Sequence, residues 1–379
     1  MAKRYKVGDR VEAVFNTSTG SIELYSDDGI LWTRWPERTG IARSDITSVC
    51  IRQGTVRLVK DARETEMTQR NYPGCWETYG TEELFEGLVH AERIDLRGFN
   101  TSKMTSMSQM FSNCYQLTEL DLSELDTSNV LDMRSMFDSC ERLQSLDLSG
   151  FDTSHVINME RIFGGCRSLK SLDISRLDTS KVKSMAGMFH GCNAIEEINV
   201  EGINTSNVTD MESMFNNCFK LQHVDVSGFD TSRVSYMSSM FTNCAELEKL
   251  DVHNFDTAQA KEMEWMFYGC QSLQSLDVSG FDTSNVTDMS FMFGECNALQ
   301  NLSINFNTSN VKNMNRMFSE CCNIRHLDLS SFDTSKVIRM DSMFEGCTKL
   351  QSLIFSPVTG PETSTEDIFL NSAQNISVI

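Results

Sequence analysis

The sequence is poor in proline and has no long apolar run. Its 379 residues include only four prolines and four tryptophans. No stretch of about 18 consecutive apolar residues occurs, so a membrane-spanning helix is excluded. Residues 1–6 lead into Val7, Gly8 and Asp9 rather than into an apolar core, and no secretory signal is visible. If Met1 is the native start, this beginning favours a cytoplasmic protein.

The motifs of common enzyme classes are also missing. The chain carries no glycine-rich phosphate loop, no paired zinc motif, no EF-hand loop and no set of serine, histidine and aspartate in the context of a hydrolase. One enzymatic alternative is an activity within residues 1–80, for which the sequence offers no motif. We therefore expect a protein that is not an enzyme and that uses no cofactor and no metal.

Basic residues are scarce beyond residue 80. The formal net charge is -20, from 33 Lys and Arg against 53 Asp and Glu. Residues 1–80 hold 12 basic and 11 acidic side chains, so the remaining 21 basic and 42 acidic side chains place all the excess negative charge after residue 80. Such a surface repels phosphate backbones, and nucleic acid is not an expected partner. Cations, amines and basic protein surfaces suit it better.

A repeat of 26 residues runs through most of the chain. Ten phenylalanines recur at this interval, with one interval of 25, and a cysteine follows each of them by three residues. These repeat phenylalanines are Phe111, Phe137, Phe163, Phe189, Phe215, Phe241, Phe267, Phe293, Phe318 and Phe344. Residues 84–88 and 368–369 continue the spacing at either end without the cysteine. Atypical units of this kind cap the two ends of a repeat stack.

Each repeat combines the spacing of a helix with the spacing of a strand. In one repeat, five apolar residues have the spacing of a single helix stripe: Val286, Met289, Met292, Phe293 and Cys296. Leu299, Leu302 and Ile304 follow with the alternation of a short strand. Asp-Thr-Ser runs such as residues 282–284 are typical of helix caps and Asx turns. The sequence therefore predicts strand-turn-helix units that stack into one parallel sheet.

The ten repeat cysteines are Cys114, Cys140, Cys166, Cys192, Cys218, Cys244, Cys270, Cys296, Cys321 and Cys347. Zinc sites need cysteine pairs at set spacing, and disulfides need Cα atoms within about 7 Å, closer than neighbouring helices lie. Buried thiols packed with Met and Phe are the preferred interpretation, with disulfides and metal ligation as alternatives. Met133 and Met136 are likewise interpreted as packing rather than as copper ligands. Cys50, Cys75 and Cys322 fall outside the register and are candidates for reactive thiols.

Acidic residues line the predicted strands once per repeat. They are Asp121, Asp147, Asp173, Asp225, Asp251, Asp277 and Asp328, with Asn199 and Ser303 at two equivalent places. Because they alternate with inward leucines, they are expected on the open side of the sheet. We interpret them as a solvated ladder that accepts hydrogen bonds from serine. Calcium or a basic partner is the alternative.

Two departures from the repeat are candidate partner-binding sites. On the strand side, His223 and Asp225 in one repeat and Lys249, Asp251 and His253 in the next would form a mixed patch. Chance polar substitution at exposed positions is the alternative. No nucleophile accompanies the histidines, so a catalytic dyad is not expected.

On the predicted helix side, Trp265 and Phe291 occupy the same position in successive repeats. At 100° per residue, Trp265 points away from the apolar stripe. Tyr268 is also expected outside, and Tyr236 on the neighbouring flank. Trp and Tyr are typical anchors of protein interfaces. We therefore predict an aromatic hot spot at these four residues, with isolated surface aromatics, which are common, as the alternative.

The string LDVSGFDTSNVTDMSFMFGEC at residues 276–296 resembles the consensus of BspA-type leucine-rich repeats, a surface-repeat family of bacteria and some protists. Residues 22–35 resemble the short β segment that often precedes such repeats. The resemblance implies an α/β solenoid, a right-handed leucine-rich-repeat stack of strand-turn-helix units. It also implies adhesion or partner binding without enzyme chemistry, at the cell surface or after secretion.

Together these features predict three parts. Residues 1–80 form a β-rich N-terminal cap domain, residues 81–355 the solenoid with its first capping unit and ten repeats, and residues 356–379 a C-terminal cap. The expected function is recognition of, or adhesion to, a protein partner along an extended acidic surface, with an intracellular scaffold as the alternative. Because both ends carry capping units, a monomer is the expected state.

Overall fold

The structure is a computed structural model. It describes residues 85–89, 91–96, 101–102, 104–355, 357, 362–374 and 376–378, and the backbone of six strands between residues 11 and 67. The chain forms two compact units, residues 1–181 and 182–379. Among the described residues we find no helix with the length and apolarity that crossing a membrane requires.

The described part of the chain before the repeats contains six strands: β1 (Val11–Asn16), β2 (Ser21–Ser26), β3 (Leu31–Trp35), β4 (Ser48–Arg52), β5 (Thr55–Lys60) and β6 (Arg63–Met67). The first three form an antiparallel sheet, and the others belong to a second sheet of order β6-β5-β4-β7-β8. In that sheet β4 pairs in parallel with β7 (Arg93–Asp95), which pairs in parallel with β8 (Glu119–Leu120). The first strands of the repeats therefore extend a sheet that begins within residues 1–80.

Further short strands follow at repeat spacing: β9 (Ser171–Asp173), β10 (Glu197–Asn199), β11 (Ser275–Asp277), β12 (Asn301–Ser303), β13 (His326–Asp328), β14 (Ser352–Ile354) and β15 (Ser377–Val378). β11 pairs in parallel with β12, and Leu276 lies opposite Leu302. β13 and β14 pair in the same way, with Leu327 opposite Leu353. Each repeat is thus one coil of a parallel solenoid, as the sequence predicts.

The helix predicted for each repeat is wrong, because the part of the chain that the structure describes contains no α-helix. A run of β-turns takes its place. The N–H of Met110 donates to the carbonyl oxygen of Met107, three residues back, at 3.2 Å. The N–H of Phe111 instead donates to Met136 in the next coil at 2.9 Å. Backbone donors that would bond within a helix therefore tie neighbouring coils together.

Left-handed backbone conformations explain why no helix forms. The position two residues before each repeat phenylalanine has a positive φ: Gln109 (56°), Ser135 (53°), Arg161 (51°), Gly187 (58°), Ser213 (56°), Ser239 (59°), Trp265 (62°), Phe291 (59°), Arg316 (54°) and Ser342 (53°). Asp367 (52°) holds the same position before Phe369. A positive φ at the third residue of a turn is the signature of type II and interrupts a right-handed helix. The coils from 85 to 355 also contain no proline, in keeping with their use of backbone N–H donors.

The repeat phenylalanines, cysteines and most repeat methionines form the core. All ten repeat phenylalanines are fully buried, and their cysteines are at most 2% exposed. Successive rings stack within each unit, for example Phe111 on Phe137 at 5.6 Å and Phe241 on Phe267 at 5.9 Å between centroids. The inward register predicted from the sequence is therefore confirmed, although the backbone that carries it is not helical.

The Asp-Thr-Ser runs form turns and join coils instead of capping helices. The Oδ1 atom of Asp126 accepts a hydrogen bond from the N–H of Ser128 at 3.0 Å, an Asx turn. Thr127 is buried, its hydroxyl donates to the carbonyl oxygen of Asp152 at 3.0 Å, and it accepts from the N–H of the same residue at 2.8 Å. One buried hydroxyl thus satisfies two backbone groups of the next coil.

One coil is a residue shorter than its neighbours. Phe306 follows Phe281 by 25 residues, whereas Leu302 follows Leu276 by 26, so the missing residue falls between Leu302 and Phe306. The rings of Phe281 and Phe306 still stack at 6.5 Å. Gly280 has no counterpart in the shorter coil, and a Cβ atom built on it would meet nothing within 4 Å. This corner therefore absorbs the change in length without disturbing the core.

Candidate partner-binding surfaces

Trp265 and Phe291 stand at the left-handed position of successive coils, with φ of 62° and 59°. Preceding coils place Ser213 and Ser239 there. For residues other than glycine this conformation costs roughly 1–2 kcal/mol, and a strained backbone is a reason to look for function. Both side chains are half-buried. Two bulky aromatics at a place of backbone strain are therefore poorly explained by stability alone.

The two rings form the centre of an aromatic cluster, which we define as Trp265, Tyr268 and Phe291. Trp265 stacks on Phe291 with 3.9 Å between centroids and 10° between planes. Tyr268 packs edge-on against Trp265 at 4.6 Å and against Phe291 at 6.0 Å. The structure thus brings together three of the four aromatics that the sequence singles out. The fourth, Tyr236, is 43% exposed and lies one coil before Trp265.

Charged residues that the repeat pattern does not single out border the cluster. The hydroxyl of Tyr268 donates a hydrogen bond to the carboxylate of Glu295. Burial and then this hydrogen bond raise the pKa of Tyr268. Arg316 places its Cζ atom 6.0 Å from the ring centroid of Phe291 and pairs with Glu345 at 3.5 Å. Arg316 holds the same repeat position as Trp265 and Phe291. A comparison of that position across all repeats would have revealed it.

The strand-side residues predicted as a mixed patch are all exposed. Asp225 accepts hydrogen bonds from the N–H and the hydroxyl of Ser227, at 3.0 and 2.6 Å. Asp251 accepts from the N–H of His253 at 3.1 Å and lies 2.6 Å from its Nδ1 atom. His223 and Asp225 also line a shallow groove with residues 197–206 of the preceding coil. Lys249 stands exposed two residues before Asp251.

The aspartates of the ladder are exposed and accept hydrogen bonds from residues of their own turns. Asp277, for example, accepts hydrogen bonds from the hydroxyl and the N–H of Ser279, at 2.7 and 3.0 Å. The hydroxyl contact first, and then the N–H, holds the pKa of Asp277 below its ordinary value. Asp147, Asp225 and Asp328 follow the same pattern. Local serine hydrogen bonds, the preferred interpretation of the ladder, are therefore present.

The lowered pKa values of these aspartates predict that the fold loses stability in acid. A carboxylate whose pKa is lowered by folding stabilises the folded state above its unfolded pKa, and that contribution is lost as the pH falls through its folded pKa. Asp210 and Glu264, whose pKa values burial raises, act in the opposite direction but are fewer. We expect the urea midpoint to be constant down to about pH 5 and to fall below about pH 4.

Asp277→Asn is the matched variant for this prediction. Asn199, which holds the equivalent position three coils earlier, accepts from the N–H of Glu201 at 3.1 Å, so an amide supports the same turn without titrating. Asp277→Asn should therefore keep the midpoint at pH 7 and lose less of it at pH 3. Equal acid loss in variant and parent would contradict the assignment to these aspartates.

The repeat cysteines, which we call the cysteine ladder, donate thiol hydrogen bonds to backbone carbonyl oxygens of the preceding coil. The thiol of Cys244 donates to the carbonyl oxygen of Phe215 at 3.2 Å, and that of Cys296 to Phe267 at 3.1 Å. Burial raises the pKa of Cys296 to about 12. The burial predicted for these thiols is confirmed. Of the candidates for reactivity, Cys322 is half-buried, whereas Cys75 and the side chain of Cys50 lie outside the described residues.

Thiol labelling should separate these classes. In native protein at pH 8, Cys322→Ser is expected to lose one equivalent of rapidly labelled thiol, while Cys296→Ser loses none, because a thiol with a pKa of about 12 forms almost no thiolate. In urea both variants should lose one equivalent. A native loss in Cys296→Ser would show that the ladder is accessible.

A family model described as "Mycoplasma protein of unknown function, DUF285" matches residues 80–199, 191–277 and 262–378. The chain belongs to the DUF285 family. The matched segments cover the coils described above, and the BspA-type leucine-rich repeat family predicted from the sequence is confirmed. Among curated proteins, no match to this DUF285 chain is found.

Two solved structures of leucine-rich proteins are similar to this DUF285 chain. A leucine-rich cell surface protein from Faecalibacterium prausnitzii A2-165 is 15% identical, with a TM-score of 0.47, over 100% of this chain and 95% of that one. A leucine-rich repeat protein from Eubacterium ventriosum ATCC 27560 is 14% identical, with a TM-score of 0.36, over 95% of this chain and 94% of that one.

Proposed function

We propose that this chain is a non-enzymatic recognition or adhesion protein that binds a protein partner through its aromatic cluster. The observation that carries the proposal is the half-buried indole of Trp265, stacked on Phe291 at 3.9 Å, at positions where the backbone is left-handed. Aromatic anchors dominate the energetics of protein interfaces. Backbone strain at both anchors supports a role in binding over a role in stability.

Exposed residues of the same unit offer further contacts on the neighbouring coil and on the strand side. Tyr236 lies on the neighbouring coil, and the strand side presents the patch of His223, Asp225, Lys249, Asp251 and His253. Contacts repeated on consecutive coils add through effective concentration, so a partner that spans several coils binds more tightly than any one contact allows. We therefore propose an extended, multivalent interface centred on the aromatic cluster.

Affinity capture tests the proposal with two matched double variants. Trp265→Ala/Phe291→Ala removes the cluster, and Tyr115→Ala/Phe219→Ala removes two aromatics that are 36% and 38% exposed elsewhere. Proteins retained by the parent chain, quantified by mass spectrometry, should fall at least about tenfold with the first variant, because losing a hot-spot anchor costs about 2 kcal/mol. The second variant should retain them. Equal retention by both variants would exclude the cluster.

A further inference from the structure

The groove on the strand side crosses two consecutive coils, residues 197–206 and 223–230. Its volume is about 850 Å³, within the roughly 300–1,000 Å³ that is typical of small-molecule sites. Gly202 and Gly228 line it at the same corner of the two coils, and a Cβ atom built on Gly228 would meet nothing within 4 Å. In the sequence, the preceding coil has Arg176 at this corner and the following coil has Asn254. Two consecutive glycines therefore leave the groove open.

The polar lining of the groove offers both donors and acceptors of hydrogen bonds. Most coils have an aspartate at two positions of this side, for example Asp225 and Asp230. The coil before them has Asn199 and Asn204 at those positions, and both amides line the groove. A carboxylate only accepts hydrogen bonds, whereas an amide also donates through its nitrogen. One coil thus supplies acceptors, and the other supplies donors as well.

Hydrogen bonds within the turns hold these side chains in place. The Oδ1 atom of Asn204 accepts from the N–H and the hydroxyl of Ser206, at 3.0 and 2.7 Å. Asp230 accepts in the same way from Ser232, at 3.0 and 2.7 Å. Thr205 is buried and joins the two coils, since its hydroxyl donates to the carbonyl oxygen of Asp230 at 2.9 Å and accepts from its N–H at 2.7 Å. A ligand would therefore meet polar groups that need little ordering on binding.

We propose that this groove binds a neutral oligosaccharide. Sugar hydroxyl groups both donate and accept hydrogen bonds, so they match a site that combines amide donors with carboxylate acceptors. An amine would gain more from carboxylates at Asn199 and Asn204, which most other coils have at these positions. The groove shares no residue with the aromatic cluster. This inference therefore goes beyond the proposed function and does not rest on a protein partner.

The charge of the groove selects against acidic sugars. Glu197, Glu201, Asp225 and Asp230 line it, and its described lining includes no lysine or arginine. The hydroxyl of Ser227 first, and then its N–H, holds the pKa of Asp225 below its ordinary value, so this carboxylate is ionised at neutral pH. A sialic or uronic acid would be repelled. We accordingly expect uncharged hexoses as ligands.

Saturation-transfer NMR on the full chain tests this expectation with defined probes. They are the neutral trisaccharides maltotriose, cellotriose and mannotriose, the acidic sugar sialyllactose, and spermidine as a cation. At least one neutral trisaccharide should bind at about millimolar concentration, because a shallow groove buries only part of its ligand. Sialyllactose should not bind. The sugar assignment is wrong if no neutral trisaccharide binds, or if spermidine alone does.

Two glycine variants with the same new side chain locate the binding. Gly228→Leu fills the groove, and the fold should tolerate it because the added Cβ atom has open space. Gly280→Leu is the matched control, since it adds leucine at the equivalent corner outside the groove, again with nothing within 4 Å of the Cβ atom. Gly228→Leu should weaken sugar binding at least about tenfold, and Gly280→Leu should leave it unchanged. Equal binding by the two variants would exclude the groove as the site.

An amide variant tests the chemistry of the ligand. Asn204→Asp restores the carboxylate of other coils and should keep its turn, as Asp230 does in the next coil. Because it removes a donor, sugar binding should weaken about three- to tenfold. Asn307→Asp makes the same change outside the groove, where Asn307 accepts from the N–H of Ser309 at 3.2 Å, and should have no effect. Unchanged or tighter sugar binding in Asn204→Asp would contradict the role of the amide.

Discussion

Phe241→Ala is expected to lower the free energy of unfolding by about 3–5 kcal/mol. The ring is fully buried and stacks between Phe215 at 5.4 Å and Phe267 at 5.9 Å. Neighbouring coils cannot collapse into the cavity, since the N–H of Phe241 is bonded to the carbonyl oxygen of Met266 at 2.9 Å. Urea denaturation followed by far-ultraviolet circular dichroism measures the loss.

Phe219→Ala is the control for this substitution. Phe219 belongs to the same unit and is 38% exposed, so its truncation removes the same atoms without opening a core cavity. Its expected cost is below about 1 kcal/mol. Losses of equal size would mean that the stacked phenylalanines are not the core of the unit.

Ser239→Pro is the second substitution with a large expected effect, about 3 kcal/mol or more. The N–H of Ser239 donates to the carbonyl oxygen of Glu264 at 3.0 Å, and its φ is 59°. Proline removes the donor and fixes φ near about -65°, so it breaks the bond between coils and forbids the turn. The urea midpoint provides the measurement.

Smaller substitutions at Ser239 distinguish a turn from a helix, because the two structures rank the alanine and glycine variants in opposite order of stability. At a positive φ every residue with a Cβ atom bears a steric cost, so Ser239→Ala should be nearly neutral and Ser239→Gly should stabilise by up to about 1 kcal/mol. In a helix the order would reverse, because alanine is the best helix former and glycine costs about 1 kcal/mol relative to it. A chain in which alanine is better tolerated than glycine would contradict the turn assigned to this segment.

The sequence predicts the core and the strands better than the path between them. Leu299, Leu302 and Ile304 predict a strand where β12 lies, because strict alternation of apolar and polar residues is typical of a half-buried strand. The spacing of Val286, Met289 and Met292 suits a helix stripe, but a chain of β-turns brings residues inward at the same intervals. What decides between them is the sign of φ, and Trp265 and Phe291 are poor indicators of a left-handed backbone.

The candidate binding surface was recoverable from the repeat register in part. Trp265 and Phe291 share one position, so their stacking follows from the pairing of coils. Trp265 lies outside the buried core and is half-buried, and the helical angle used to predict its direction does not apply. Arg316 and Glu295 were missed because their types are ordinary on an acidic surface. Only their placement beside the rings gives them significance.

The shortened coil between Phe281 and Phe306 has a practical consequence. A corner that loses a residue while the rings on either side stay stacked at 6.5 Å can also gain residues. The open space around Gly280 leaves room for them. Foreign peptides spliced at equivalent corners of several coils would be displayed as a regularly spaced row, with spacing set by the sheet at about 4.8 Å for each coil.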